Sequence, residues 1–159
     1  MTRGQSETAP TTRIPTQADY RYHLTLRTEL RRFFQWSQQQ AEAEGITASQ
    51  HQLMLAVRGH DDPSGPTIRD LAGHLLLRHN SVVGLVDRAE AAGLVRRTRD
   101  TDDLRVVRVL LTPSGEKLLE RLTALHLDEL DRIRGSLKAA REALERYNAL
   151  HPGSDQADR

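Results

Sequence analysis

Apolar residues recur along this chain at two spacings, and the switches between them mark out its elements. From about Ala18 to Ala43 the positions Tyr22, Leu26, Leu30, Phe33, Phe34 and Ala41 keep the three-to-four step of an amphipathic helix, which Gly45 stops. Thr47 then opens a second helix, with Gln50 placed to complete a capping box and Leu53, Ala56 and Val57 as the buried face. Residues 59–66 are a Gly-, Asp- and Pro-rich loop. Thr67 caps a short third helix, with Asp70 three residues on and Ile68, Leu71, Ala72 and Leu75 facing inward. A fourth helix runs from about Arg78 to Ala92, turns Val82, Leu85, Val86 and Ala89 to one side, and ends at Gly93.

There the period shortens. Leu94 to Thr98 and Val106 to Leu111 read as strands, joined by a polar loop from Arg99 to Arg105 that is longer than a minimal hairpin turn. Thr112 as N-cap and Pro113 at the first helical position start a long last helix. In it Leu119, Leu122, His126, Leu130, Ile133, Leu137, Ala140, Leu144 and Tyr147 make an unbroken stripe of the kind that packs helix on helix, and Gly135-Ser136 offers a point of division. The pattern predicts a mainly α fold with a small β-hairpin wing, centred on a winged helix-turn-helix lobe at about 47–111. Residues 1–16 and 151–159, polar and poor in apolar side chains, are expected to be disordered tails flanking a single domain at 17–150.

Composition narrows the chemistry. Net charge is +1 over 159 residues, so any footprint on a nucleic acid must be local. The absence of cysteine excludes disulfides, thiolate metal ligands and thiol redox sensing. No apolar run approaches the roughly 20 residues of a bilayer span, and no signal-peptide core follows Met1, so a soluble cytoplasmic protein is expected. The aromatic residues all lie outside the helix-hairpin region, leaving Leu, Ala and Val to build most of the core. No nucleophile–base set, phosphate-binding glycine loop or metal-ligand spacing is visible, and the seven histidines include no i, i+4 pair. No cofactor, metal or catalytic activity is expected.

Two features carry function. The fourth helix begins Arg78-His79-Asn80-Ser81, small or polar side chains able to approach base edges in a major groove while backbone N–H groups face phosphate. Asn80 suits adenine, Ser81 suits base or phosphate, and Arg78 suits phosphate; read more plainly, Asn80 and Ser81 are first-turn capping residues. The hairpin crowds Arg96, Arg97, Arg99, Arg105 and Arg108, with Asp100, Asp102 and Asp103 at its tip. A solvated charged loop is the plainer reading, whereas a projecting arginine fits a narrow minor groove, with Asp103 holding Arg105 by a bidentate pair. Thr67, Arg88 and Arg99 complete the candidate DNA contacts. A protein-interaction module using the same fold without DNA is the alternative, which the arginine-rich wing disfavours.

The residues Leu85 to Arg97 (LVDRAEAAGLVRR), the Asp103-Leu104-Arg105 tip and Leu111 to Gly115 (LTPSG) together resemble the MarR family of winged-helix transcriptional regulators, from about Asp19 to Tyr147. The resemblance implies a homodimeric repressor of a palindromic operator, whose terminal helices, about 18–44 and 112–150, form the dimer interface. Leu26, Leu30, Leu130, Leu137, Leu144 and Tyr147 are the expected dimer residues. It also implies release by a small anionic or aromatic (phenolic) ligand, with Phe33, Trp36 and His126 as candidate pocket residues. The plainer reading of His126 is a satisfied core or interface histidine; the functional one is a pocket or pH-sensing residue. Two positions depart from the family pattern: Arg78 stands where a capping serine is usual, and Gly84 interrupts the recognition helix where a polar side chain is common, which close backbone approach would explain.

Overall fold

The computed structural model describes residues 14–150; the expected terminal tails fall outside the described residues, except for residues 14–16. Seven elements follow in order: α1 (Gln17–Ala43), α2 (Ala48–Arg58), α3 (Ile68–Leu75), α4 (His79–Ala91), β1 (Val95–Arg99), β2 (Val107–Leu111) and α5 (Pro113–Leu150). No helix among the described residues is long and apolar enough to cross a membrane.

Local chemistry sets most boundaries. Thr47 and Thr67 each accept from the backbone N–H three residues on, and Gln50 and Asp70 reach back to the N–H of the cap, so both capping boxes form. Gly45 and Gly93 have φ of +78° and +71°, left-handed values that cost a glycine least. α5 runs unbroken through Gly135-Ser136, correcting the expected point of division. A lone glycine costs only about 1 kcal/mol in a helix and removes no hydrogen bond, unlike proline.

The chain divides into two units. The larger, Arg32–Asp131, is built on Leu53, Met54, Leu71, Val82, Val86, Ala89, Val95, Val109 and Leu122, all at 0–1% exposure. Val82, Leu85, Val86 and Ala89 lie on one face of α4, so the opposite face and the helix start stay in water. On α3 only Leu71 is fully enclosed, while Ile68, Ala72 and Leu75 pack on the margin of the core. β1 and β2 pair antiparallel with Val95 opposite Leu111 and Arg99 opposite Val107, and Thr67 adds an isolated bridge to Arg108. Leu94 and Val106, expected in the strands, lie just outside them.

The tightest crossing in this unit explains the LTPSG run. Thr112 donates from N–H to the Leu94 carbonyl (3.1 Å), its hydroxyl donates to the Gly93 carbonyl (2.6 Å) and accepts from Gly115 N–H (3.0 Å). A Cβ at Gly115 would overlap the Leu94 carbonyl, so only glycine lets α5 start against the end of the α4–β1 turn.

The smaller unit comprises the described residues up to Arg31 and from Arg132 on. Within it Glu29, at 6% exposure, accepts from Arg132 (3.2 Å), and Ala18 and Ile133 are buried. Ala18, Tyr22, Leu144 and Tyr147 line a cavity of about 220 Å³. Tyr20, Leu24 and Leu30 remain exposed.

Candidate nucleic-acid interface

The start of α4 presents the residues expected to read DNA. Arg78 is its N-cap in extended backbone and makes no side-chain capping bond. His79, Asn80 and Ser81 are all exposed, whereas Val82 and Val86 are fully buried. An uncapped helix start leaves first-turn N–H groups available to an anion and places the positive end of the helix dipole there. Arg88 is exposed one turn past Gly84. The nearest atom to a Cβ at Gly84 would be the Arg88 Nη1 at 3.4 Å, so no backbone approaches there and the glycine is not needed for packing.

Thr67, the other candidate contact beside this helix, caps α3 as its spacing to Asp70 predicts. Its hydroxyl donates to Asp70 Oδ2 (2.8 Å) and accepts from Asp70 N–H (3.2 Å), so the group is engaged in capping α3 rather than presented to a ligand. The Thr67 N–H and hydroxyl together hold the Asp70 carboxyl below its ordinary pKa.

The hairpin arginines separate into two kinds. Arg97 donates from Nη1 to Glu90 and from Nη2 to Asp87, each at 2.6 Å, and its backbone N–H donates to Glu90 Oε1 (2.8 Å). This ties β1 to α4, and the bonds Glu90 accepts from Arg97, the backbone N–H first and then the side chain, depress the Glu90 pKa. Arg108 donates from Nε to Asp100 and from Nη1 to Asp62 Oδ2 and the Gly65 carbonyl, both at 2.8 Å. Arg96, Arg99 and Arg105 are exposed, and among the described residues neither Arg96 nor Arg99 makes an ion pair. Asp103 meets Arg105 through one oxygen only: Oδ1 accepts from the Arg105 backbone N–H (3.0 Å) and from Nε (3.2 Å). The expected bidentate pair is not formed, because the same carboxylate oxygen also closes the turn. Asp100 is pushed down to about 2, chiefly by the N–H groups of Asp103 and Asp102 and then by Arg108.

The candidate pocket residues also meet. The Phe33 and Trp36 rings lie edge-on to His126 at 5.7 and 4.9 Å, and His51 stands 4.7 Å away. His126 Nδ1 faces the Leu122 carbonyl (2.6 Å), which can only accept, so Nδ1 carries the proton; Ser37 Oγ then meets Nε2 at 2.7 Å. Both ring nitrogens are satisfied. His51 was not singled out by sequence, although it shares the helical face of Met54 three residues on. Of the expected dimer residues, Leu30 and Leu130 are exposed, and Leu26, Leu137, Leu144 and Tyr147 are half-buried. Among the described residues no group of three or more His, Asp or Glu could hold a metal ion.

Residues 44–105 match the model of the MarR family. Over 56 residues the chain is 38% identical to an uncharacterized HTH-type transcriptional regulator, YsmB of Bacillus subtilis, covering 35% of this chain and 38% of that protein. Over 81 residues it is 33% identical to the transcriptional activatory protein BadR of Rhodopseudomonas palustris, covering 51% and 46%. The matched part thus spans less than half the length of these curated relatives. The S. aureus MepR–DNA complex superposes with a TM-score of 0.59 at 26% identity, over 82% of this chain and 93% of that one.

Proposed function

We propose that this chain, which belongs to the MarR family of winged-helix regulators, acts as a homodimeric transcriptional repressor that binds a palindromic operator and is released by a small aromatic or anionic ligand. The observation that carries DNA binding is the start of α4: Arg78, His79, Asn80 and Ser81 all stand in water at an uncapped helix end, backed by fully buried Val82 and Val86. Such an end can enter a major groove, Asn80 pairing with an adenine edge while Arg105 at the wing reaches the backbone or minor groove. The relatives named as transcriptional regulators, and the DNA-bound MepR structure, support the same reading.

Dimerisation is supported by the apolar side chains that α1 and α5 leave exposed, Tyr20, Leu24 and Leu30 on the first and Leu130 and Leu150 on the second. For release, the ring cluster of Phe33, Trp36 and His126 is the part of the lobe an aromatic ligand would enter, by displacing rings that now meet edge to face.

The test selects binding sites from random duplex DNA with the purified full-length protein, then repeats the selection with Asn80→Ala. The expected result is a palindromic site in which Asn80→Ala loses discrimination at one base position per half-site, by about 1–3 kcal/mol, with little change in nonspecific affinity. Recovery of no enriched sequence would refute specific DNA binding. An unaltered site would refute the role of Asn80.

A further inference from the structure

Arg108 is the hairpin arginine least available to a ligand, with its side chain 18% exposed against 92% for Arg105. Its contacts nevertheless lead to the wing tip. From the loop before α3, Asp62 Oδ2 and the Gly65 carbonyl accept from Arg108 Nη1, and Arg108 Nε donates to Asp100 Oδ2. The other oxygen of Asp100 accepts from the backbone N–H groups of Asp102 (2.8 Å) and Asp103 (3.0 Å). Asp103 in turn holds the backbone and Nε of Arg105. An unbroken series of bonds therefore runs from the base of the wing to the one arginine that projects from its tip, all within the larger unit.

We propose that Arg108 is a positioning residue for DNA binding: through Asp100 and Asp103 it holds the tip turn, and the Arg105 guanidinium with it, at a fixed reach from the start of α3, without contacting DNA. This deepens the DNA-binding reading above and rests on it. The physical reason is ordering. A seven-residue loop is entropically loose, and an arginine on it loses rotamer freedom when it docks. Asp100 ties the turn to the strands by three acceptor contacts, so the turn is ordered before DNA arrives.

The experiment measures affinity for the selected duplex by fluorescence anisotropy, and reads in each background the loss caused by Arg105→Ala. In the wild-type background that loss should be clear and should come with a smaller salt slope. With Arg108→Gln already present it should shrink by about two- to ten-fold, the range expected when an ordered side chain must be ordered at the moment of binding. Reading a difference between two Arg105 states cancels the long-range effect of removing the Arg108 charge. An undiminished loss overturns the proposal, and so does an Arg105→Ala variant that binds as tightly as wild type. Should Arg108→Gln fail to fold, Asp103→Ala cuts the same series at its exposed end and the identical comparison decides. Wild-type protein that binds no selected duplex would instead refute the DNA-binding reading itself.

Discussion

His51 sits on α2 at 4% exposure, facing His126 across 4.7 Å. From α5 it meets the His126 ring, whose Nε2 is bonded to Ser37 of α1, and the other α1 members of the cluster, Phe33 and Trp36, carry no charge. Burial first, and the facing His126 second, push the His51 pKa from 6.5 down to about 4. The folded value is the lower one, so the fold favours the neutral ring. Its contribution is whole above about pH 6.5, and it is lost as the pH falls toward about 4, because the unfolded chain takes up a proton that the folded chain refuses. At 1.36 kcal/mol per pH unit, the loss is about 1 kcal/mol by about pH 5.5 and about 3 kcal/mol by about pH 4. Urea unfolding at one fixed protein concentration, at about pH 7.5 and about pH 5.5, measures it against His51→Leu, which keeps the volume and cannot titrate. Wild type should lose about 1 kcal/mol more than the variant between the two conditions. Equal losses would show that the buried ring accepts its proton without penalty, and the argument from burial would fail.

Gly115 and Gly84 should respond to alanine in opposite directions. Gly115→Ala drives a methyl group into the Leu94 carbonyl and should lower stability by about 2 kcal/mol or more in a thermal melt. Gly84→Ala meets only the end of the Arg88 side chain and should raise stability by up to about 1 kcal/mol. Leu144→Asp, placing a charge on the half-buried face of α5, should give monomer or aggregate in sedimentation, and a well-folded dimer would refute the part assigned to that face.

What the sequence discloses of this fold is what depends on near neighbours. Thr47 with Gln50 and Thr67 with Asp70 are three residues apart, so both helix starts are readable from their spacing. The apolar positions of α4 likewise declare its buried face, since burial follows the 3.6 period. The division expected at Gly135-Ser136 misjudged how little one glycine costs a long helix. The reason for Gly115 was out of reach because its constraint comes from Leu94, which the helix approaches only when the lobe is assembled.

The arginines show why a charge cluster is a poor guide to a site when read from sequence alone. Arg96, Arg97, Arg99, Arg105 and Arg108 look alike in the sequence, and only distant partners tell them apart: Asp62 lies 46 residues from Arg108, and Asp87 ten from Arg97. An arginine already bonded to two carboxylates adds little net field and releases few counterions from DNA, so its apparent charge overstates its contribution to binding. In a chain of net charge +1, the attraction left to the wing comes from the arginines without such partners and from Arg105, held by a single oxygen and open to water. On the proposed reading, a wing of that kind supplies affinity largely indifferent to sequence. Discrimination among bases then falls, on the same reading, to the short polar side chains in the first turn of α4, where Asn80 and Ser81 carry no charge to pull on every phosphate equally.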